Sequence, residues 1–249
     1  MSAGVAAGES APSGPLTRFV VRVHEQFAGA ALARLLDAFP AGLEERGAAE
    51  FAVYGPPPEL PGLISVTREV VQDGWETAYH AHLTRVVAGR FAVRPPWVAG
   101  EDDDLIIDPG TAFGAGTHPT TRMCLELLPE GSGAFADWGA GTGVLAIAAT
   151  RLGFSPVLAI DLDAAAINAA PGVEALALDL TREPAPYAPV VVANLTLPLL
   201  QAAAQVQRRP ELLIASGVLA EQAGEVAAAF GMAERERREL DGWAAVVLS

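Results

Sequence analysis

Five short apolar runs recur between residues 134 and 216: AFAD (134–137), PVLAID (156–161), VEALAL (173–178), PVVVAN (189–194) and ELLIAS (211–216). A run that stays apolar at consecutive positions has no solvated face, and at four to six residues it is shorter than an ordinary helix, so each reads as a strand covered on both sides. The stretches between them are alanine-rich and of helical character. This alternation predicts a Rossmann-like α/β fold, a parallel sheet with helices on both faces. The chain then changes character: AERERREL (233–240) and WAAVVLS (243–249), separated by Asp241-Gly242, predict an antiparallel hairpin at the sheet edge.

The N-terminal third follows other rules. Residues 17–23 (TRFVVRV) alternate like a strand, 27–38 carry apolar residues at helical spacing, and a strand-like FAVY (51–54) precedes the breaker-rich GPPPELPG (55–62). These elements predict a small α+β domain over residues 17–67, preceded by a flexible tail, 1–16. Residues 68–94 are expected to link it to a large domain, 95–249. Within the mixed region, ISVTREVV (64–71) reads as a strand or as the start of the linker, GWETAYHAHL (74–83) as helical, and RFAVRPPW (90–97) ends at a double proline.

Apolar residues make up 51% of the chain and charged residues 18%, a composition that excludes a disordered or solvating role for most of it. No apolar stretch approaches the roughly 20 residues that a membrane-spanning helix needs. The first sixteen residues lack the basic start and apolar block of a secretory signal, so a cytoplasmic protein with no membrane partner is expected. Thirty acidic residues against sixteen basic ones give a net charge of −14, which repels phosphate backbones and attracts a basic protein partner; solubility alone is the competing reading. Every basic residue is arginine. The single cysteine, Cys124, sits in the apolar run MCLELL and reads as a buried structural thiol. His80 and His82 have no further histidine or cysteine nearby to complete a ligand set, so no metal is expected.

The segment Asp137-Trp138-Gly139-Ala140-Gly141-Thr142-Gly143 leaves a predicted strand and enters a helical stretch. Glycines there allow tight turning and close approach of a ligand to backbone amides at a helix start. The nicotinamide fingerprint requires glycine where Val144 stands, and the absence of lysine closes the P-loop reading. The pattern instead resembles motif I of the class I S-adenosyl-L-methionine-dependent methyltransferases. Asp161, at the end of the second strand, is placed to accept both ribose hydroxyls. Asp163 reads as a helix N-cap. Asp179 either receives an adenine amino group or caps a turn. Asn194, ending the fourth strand, offers a carbonyl acceptor to an attacking amine, or caps a loop.

Two further stretches, DPGTAFGAGTHPTT (108–121) and IASGVLAEQ (214–222), together with DWGAGTGVLAIAA and VVVANL, resemble the PrmA family, the bacterial methyltransferases of large-subunit ribosomal protein eleven. The similarity covers residues 95–249. It implies a seven-stranded class I methyltransferase sheet, S-adenosyl-L-methionine as cofactor, and methylation of lysine or N-terminal amino groups of a basic ribosomal protein by a monomeric enzyme. Carried over position by position, it puts Phe113 and Thr121 at the cofactor, Gly139 and Gly141 under its methionine part, Asp161 on the ribose and Asn194 near the reactive methyl. It also implies that the N-terminal unit is a shortened ferredoxin-like domain that recognises the substrate. The chain departs from the family at Ala115, Ala140 and Thr142, and its second crossover is cut short by Pro171-Gly172. His118 reads as a proton acceptor or as a loop stabiliser. A class I enzyme acting on another protein or a small molecule, and a noncatalytic cofactor-binding module, remain as alternatives.

Overall fold

The computed structural model describes residues 17–39, 43–47, 49–53, 55–70, 83–109, 114 and 116–249. The expectations for residues 1–16, for the helical stretch up to residue 82, for Phe113 and for Ala115 fall outside these.

The N-terminal elements are β1 (Thr17–Val23), a 3-10 turn, α1 (Ala28–Ala38), β2 (Glu44–Gly47), β3 (Glu50–Val53) and β4 (Leu63–Val70). They form an antiparallel sheet in the order β2-β3-β1-β4. Alternation along β1 and β3 turns Val21, Val23, Phe51 and Val53 toward α1, whose Ala31, Leu32 and Leu35 close a small core over them. The stretch that read equally as strand or linker is β4, with Thr17 opposite Val70 and Val23 opposite Leu63.

Three short strands follow, β5 (Val86–Ala88), β6 (Phe91–Arg94) and β7 (Leu105–Ile106), in that order in their own sheet. Buried Asp104 fastens them. It accepts two bonds from Arg85 (2.8 and 2.7 Å) and one each from Arg94 Nε and the Glu101 amide (both 3.0 Å). The hydrogen-bonded Arg85 guanidinium holds its carboxyl down at about 2, against the effect of burial.

The remaining chain supplies α2 (Pro119–Leu127), β8 (Phe135–Trp138), α3 (Val144–Arg151), β9 (Val157–Asp161), β10 (Val173–Ala177), β11 (Val190–Asn194), α4 (Leu197–Val206), β12 (Leu212–Leu219), α5 (Ala223–Phe230), β13 (Glu234–Leu240) and β14 (Trp243–Leu248). Their seven-stranded sheet runs β10-β9-β8-β11-β12-β14-β13. Strands β10 to β12 are mutually parallel with β8 and β9, and the β12–β14 and β14–β13 pairs are antiparallel. Asp241 and Gly242 take positive φ (52° and 82°), as a tight two-residue hairpin turn requires.

Alternate residues of the central strands feed two separate cores. Phe135, Ala159, Val192 and Ile214 pack with α2 and α3. Ala136, Ile160, Val191 and Leu213 pack with α4 and α5. The helical expectation fails at the β10 edge, on both faces of the sheet. Between β9 and β10 there is only a 3-10 turn, Ala164–Ala166, because Ile167 turns extended and Pro171-Gly172 follows. Between β10 and β11, Pro184, Pro186 and Pro189 exclude a helix altogether. Strand order reverses between β8 and β11, so their C-terminal ends border the crevice where such sheets accept ligands.

Candidate active site at the strand ends

The chain leaves β8 through three glycines with positive φ: Gly139 (73°), Gly141 (53°) and Gly143 (81°). A side chain at 139 is excluded twice, by its backbone conformation and by Leu195, whose Cδ2 would lie 2.3 Å from a Cβ there. The Gly139 and Ala140 amides both donate to the Ile160 carbonyl (2.8 and 3.0 Å), fixing the loop to the end of β9. The Gly141 amide donates to Asp161 Oδ2 (2.9 Å) and the Asp163 amide to Asp161 Oδ1 (3.1 Å). Asp161 is therefore oriented by main chain on both oxygens while half-buried, with lone pairs left over for a ligand.

Asn194 ends β11 on the opposite wall. Its Nδ2 donates to Thr121 Oγ1 of α2 (3.4 Å), and its Oδ1 is buried without a hydrogen-bond partner among the described residues. A buried amide oxygen with no donor is costly, and such atoms mark places where a bound group completes the accounting. The structure thus brings Gly139, Gly141, Asp161, Thr121 and Asn194 to one rim of the sheet. Phe113 lies outside the described residues.

Three further polar residues make local contacts. Asp163 accepts from the Ala165 amide (3.2 Å) and caps the 3-10 turn. Asp179 Oδ1 accepts from the Thr181 amide and hydroxyl (3.0 and 2.6 Å), a turn-capping contact; these bonds lower its pKa. His118 is the N-cap of α2, its Nδ1 2.7 Å from Thr120 Oγ1 and accepting from the Thr120 amide (3.3 Å), with its ring edge-on to Trp243. Cys124 is buried, and burial raises its thiol pKa.

Asp137 lies one layer below the glycine loop, fully buried. Its Oδ2 accepts from the Ala146 amide (3.0 Å), and its Oδ1 has no partner among the described residues. Desolvation pushes its pKa up to about 7, with the nearby Asp161 adding to the rise. Sequence reasoning passed over two more groups: the Thr142 hydroxyl, noted only as a departure, and Asn168. The one signal for Asn168 was a polar residue in INAA where the helix stops.

A glycine cradle without Cβ atoms, a carboxylate with free lone pairs and an unpaired amide oxygen suit a ligand with a sugar diol and a cationic tail. A family model described as Ribosomal protein L11 methyltransferase (PrmA) matches residues 59–249. A ribosomal protein L11 methyltransferase of Pelotomaculum thermopropionicum is 38% identical over 214 residues, covering 75% of this chain and 70% of that one. One from Pseudomonas putida is 41% identical over 200 residues, covering 70% and 68%. The crystal structure of a ribosomal protein L11 methylase from Lactobacillus delbrueckii subsp. bulgaricus shares the fold, with a TM-score of 0.51 at 23% identity over 67% of this chain and 98% of that one. The seven-stranded mixed sheet is that of the class I methyltransferases, S-adenosyl-L-methionine is the cofactor, and the chain belongs to the ribosomal protein L11 methyltransferase (PrmA) family.

Proposed function

We propose that the chain methylates amino groups of ribosomal protein L11, with residues 95–249 as catalytic domain and the N-terminal unit from residue 17 as substrate-recognition domain. The end of that unit moves from residue 67 to Val70 because β4 stays paired to β1 that far, so that the linker to residue 94 begins after it. The observation that carries the reading is the buried, unpartnered Oδ1 of Asn194 at the crevice rim. Bound S-adenosyl-L-methionine supplies a methyl group on a sulfonium, which an amine nitrogen takes in line while the sulfur keeps the electron pair. The protein's part is alignment and exclusion of water.

In this reading the glycine loop at Gly139 and Gly141 seats the methionine part, and Asp161 accepts from the ribose hydroxyls. Thr121 flanks the cofactor, and the family resemblance assigns Phe113 to the same ligand. Asn194 Oδ1 accepts a hydrogen bond from the substrate nitrogen and aims its lone pair. A lysine amine, with a reference pKa near 10.4, must shed a proton first, and an apolar crevice favours its neutral form.

The N-terminal sheet supports a ferredoxin-like origin. Its order β4-β1-β3-β2 is that of a βαββαβ unit in which the second helix has been replaced by the proline-rich segment 55–62. The loss leaves part of the sheet open, since Val66, opposite buried Val21 on the same face, is 41% exposed. We assign that open face to the substrate. The net charge of −14 favours a basic protein partner over nucleic acid. A monomer working in the cytoplasm fits these features, and among the described residues no helix is long and apolar enough to cross a membrane.

The test is methyl transfer from labelled cofactor to purified L11 by the wild type and by Asn194→Ala. The variant is expected to bind cofactor but to lose turnover by roughly 10²–10³, the scale for removing one positioned polar group. Undiminished methylation removes Asn194 from the mechanism. A wild type that labels other components but never L11 moves the substrate elsewhere, and one that binds cofactor without any transfer is a binding module.

A further inference from the structure

The glycine loop is held from above by contacts that involve none of the residues assigned to the cofactor. The Asn168 side-chain amide pairs with the main chain of Asp108 on both sides, as a neighbouring strand would: the Asp108 amide donates to Oδ1 (2.9 Å), and Nδ2 donates to the Asp108 carbonyl (3.0 Å). The second Nδ2 hydrogen goes to the Thr142 carbonyl (2.9 Å), which also accepts from the Asn168 backbone amide (2.9 Å). Both amide hydrogens are therefore spent on carbonyls, one from each of two segments remote in sequence. Buried Thr142 makes the second link, its hydroxyl donating to the Gly114 carbonyl (2.9 Å). Gly114 comes so close that a Cβ there would lie 2.8 Å from that hydroxyl.

These bonds converge on one residue of the loop. Thr142 stands between Gly141, whose amide is bonded to Asp161, and Gly143, the N-cap of α3. Any displacement of Thr142 moves the Gly141 amide and, through it, the Asp161 carboxylate.

We infer that Asn168 and Thr142 are positioning residues: they pin the main chain at Asp108 and Gly114 to the glycine loop and thereby set cofactor affinity. The inference rests on the reading of that loop as the cofactor seat. Asp at position 168 keeps the shape but turns both donor contacts into repulsions between oxygens. Val at 142 keeps the shape but loses the hydroxyl, which Ser would restore.

Calorimetric titration of S-adenosyl-L-methionine into wild type, Asn168→Asp, Thr142→Val and Thr142→Ser, with turnover at saturating cofactor, tests it. Loss of the part-buried Thr142 hydroxyl bond, or of both Nδ2 bonds of Asn168 with oxygen–oxygen repulsion in their place, predicts a Kd weakened about tenfold in Thr142→Val and Asn168→Asp. Turnover at saturation stays within about threefold, and Thr142→Ser regains wild-type affinity, a split that general destabilisation does not produce. Unchanged Kd values in folded variants overturn the inference and leave the cofactor site standing, as does turnover lost at saturation with affinity intact. If Asn168→Asp does not fold, Thr142→Val against Thr142→Ser decides alone. A wild type that fails to bind the cofactor overturns the site and the inference together.

Discussion

The two larger sheets solve the problem of a strand's two faces in opposite ways. In the seven-stranded sheet every residue of β8 is buried, because α2 and α3 cover one face and α4 and α5 the other. In the four-stranded sheet α1 covers β1 and β3 but not β4, whose Leu63, Val66 and Val70 are 45%, 41% and 59% exposed. A covered sheet tolerates groups that water would otherwise have to solvate. An uncovered one keeps apolar side chains in water, an arrangement that marks a surface for binding.

The largest expected effect tests how dry the covered sheet is. The Asp137 carboxyl, pushed up from 3.8 to about 7 by burial, keeps its proton in the native state where the unfolded chain has already released it. Its contribution is therefore complete below about pH 4 and is lost as pH rises through 7. Asp137→Asn, which stays neutral throughout, should raise stability at pH 8 by roughly 2–4 kcal/mol and flatten the decline between pH 4 and 7. Urea unfolding at pH 5 and pH 8 measures both. An unaltered pH slope in the variant would mean that the centre of the sheet is wetter than the packing indicates.

The open strand is tested by charging it. Val66→Glu with Val70→Glu puts two carboxylates on a face that is already solvated, so stability should shift by no more than about 0.5 kcal/mol per site. Cofactor affinity should not move. If β4 is the docking surface proposed above, methylation of L11 should fall roughly tenfold or more in kcat/KM, the cost of removing apolar anchors. If methylation persists while stability drops by several kcal/mol, β4 is a structural strand and the contrast with β8 disappears.

The same difference governs what the sequence discloses. Four of the five parallel strands were legible to within a few residues because burial on both faces prints an uninterrupted apolar run, as in VVVAN of β11. β10, expected to be covered on both sides, is instead a largely exposed edge strand interrupted by Glu174. Asp161 was legible because position alone, at the end of the second strand, places it in the crevice. β2 was missed: its sequence is EERG, and it forms through pairing with β3 rather than through any pattern of its own. β4 stayed ambiguous because a strand with no covered face carries no alternation. Asn168 was out of reach for another reason, since its partners Asp108 and Thr142 lie 60 and 26 residues away. Only the folded sheet reveals that its amide is committed to both.

The smallest effect belongs to β13, the outer strand of the large sheet, which is as exposed as β4 but opposite in chemistry. Its sequence ERERREL alternates charge, and Arg238 bridges Glu236 (3.2 Å) and, across to α2, Glu126 (2.9 Å). An outer strand presents unpaired backbone groups to any other chain, and a charged surface keeps such partners away. If that is its role, the ion pairs contribute little to stability. Arg238→Ala should lower it by no more than about 1 kcal/mol in a thermal melt, and 1 M salt, with a Debye length of about 3 Å, should erase most of the difference. A larger loss that survives salt would make β13 a bracing strand. The charged run on β13 and the exposed apolar residues Leu63, Val66 and Val70 on β4 would then reflect packing demands, not a choice between refusing and accepting a partner.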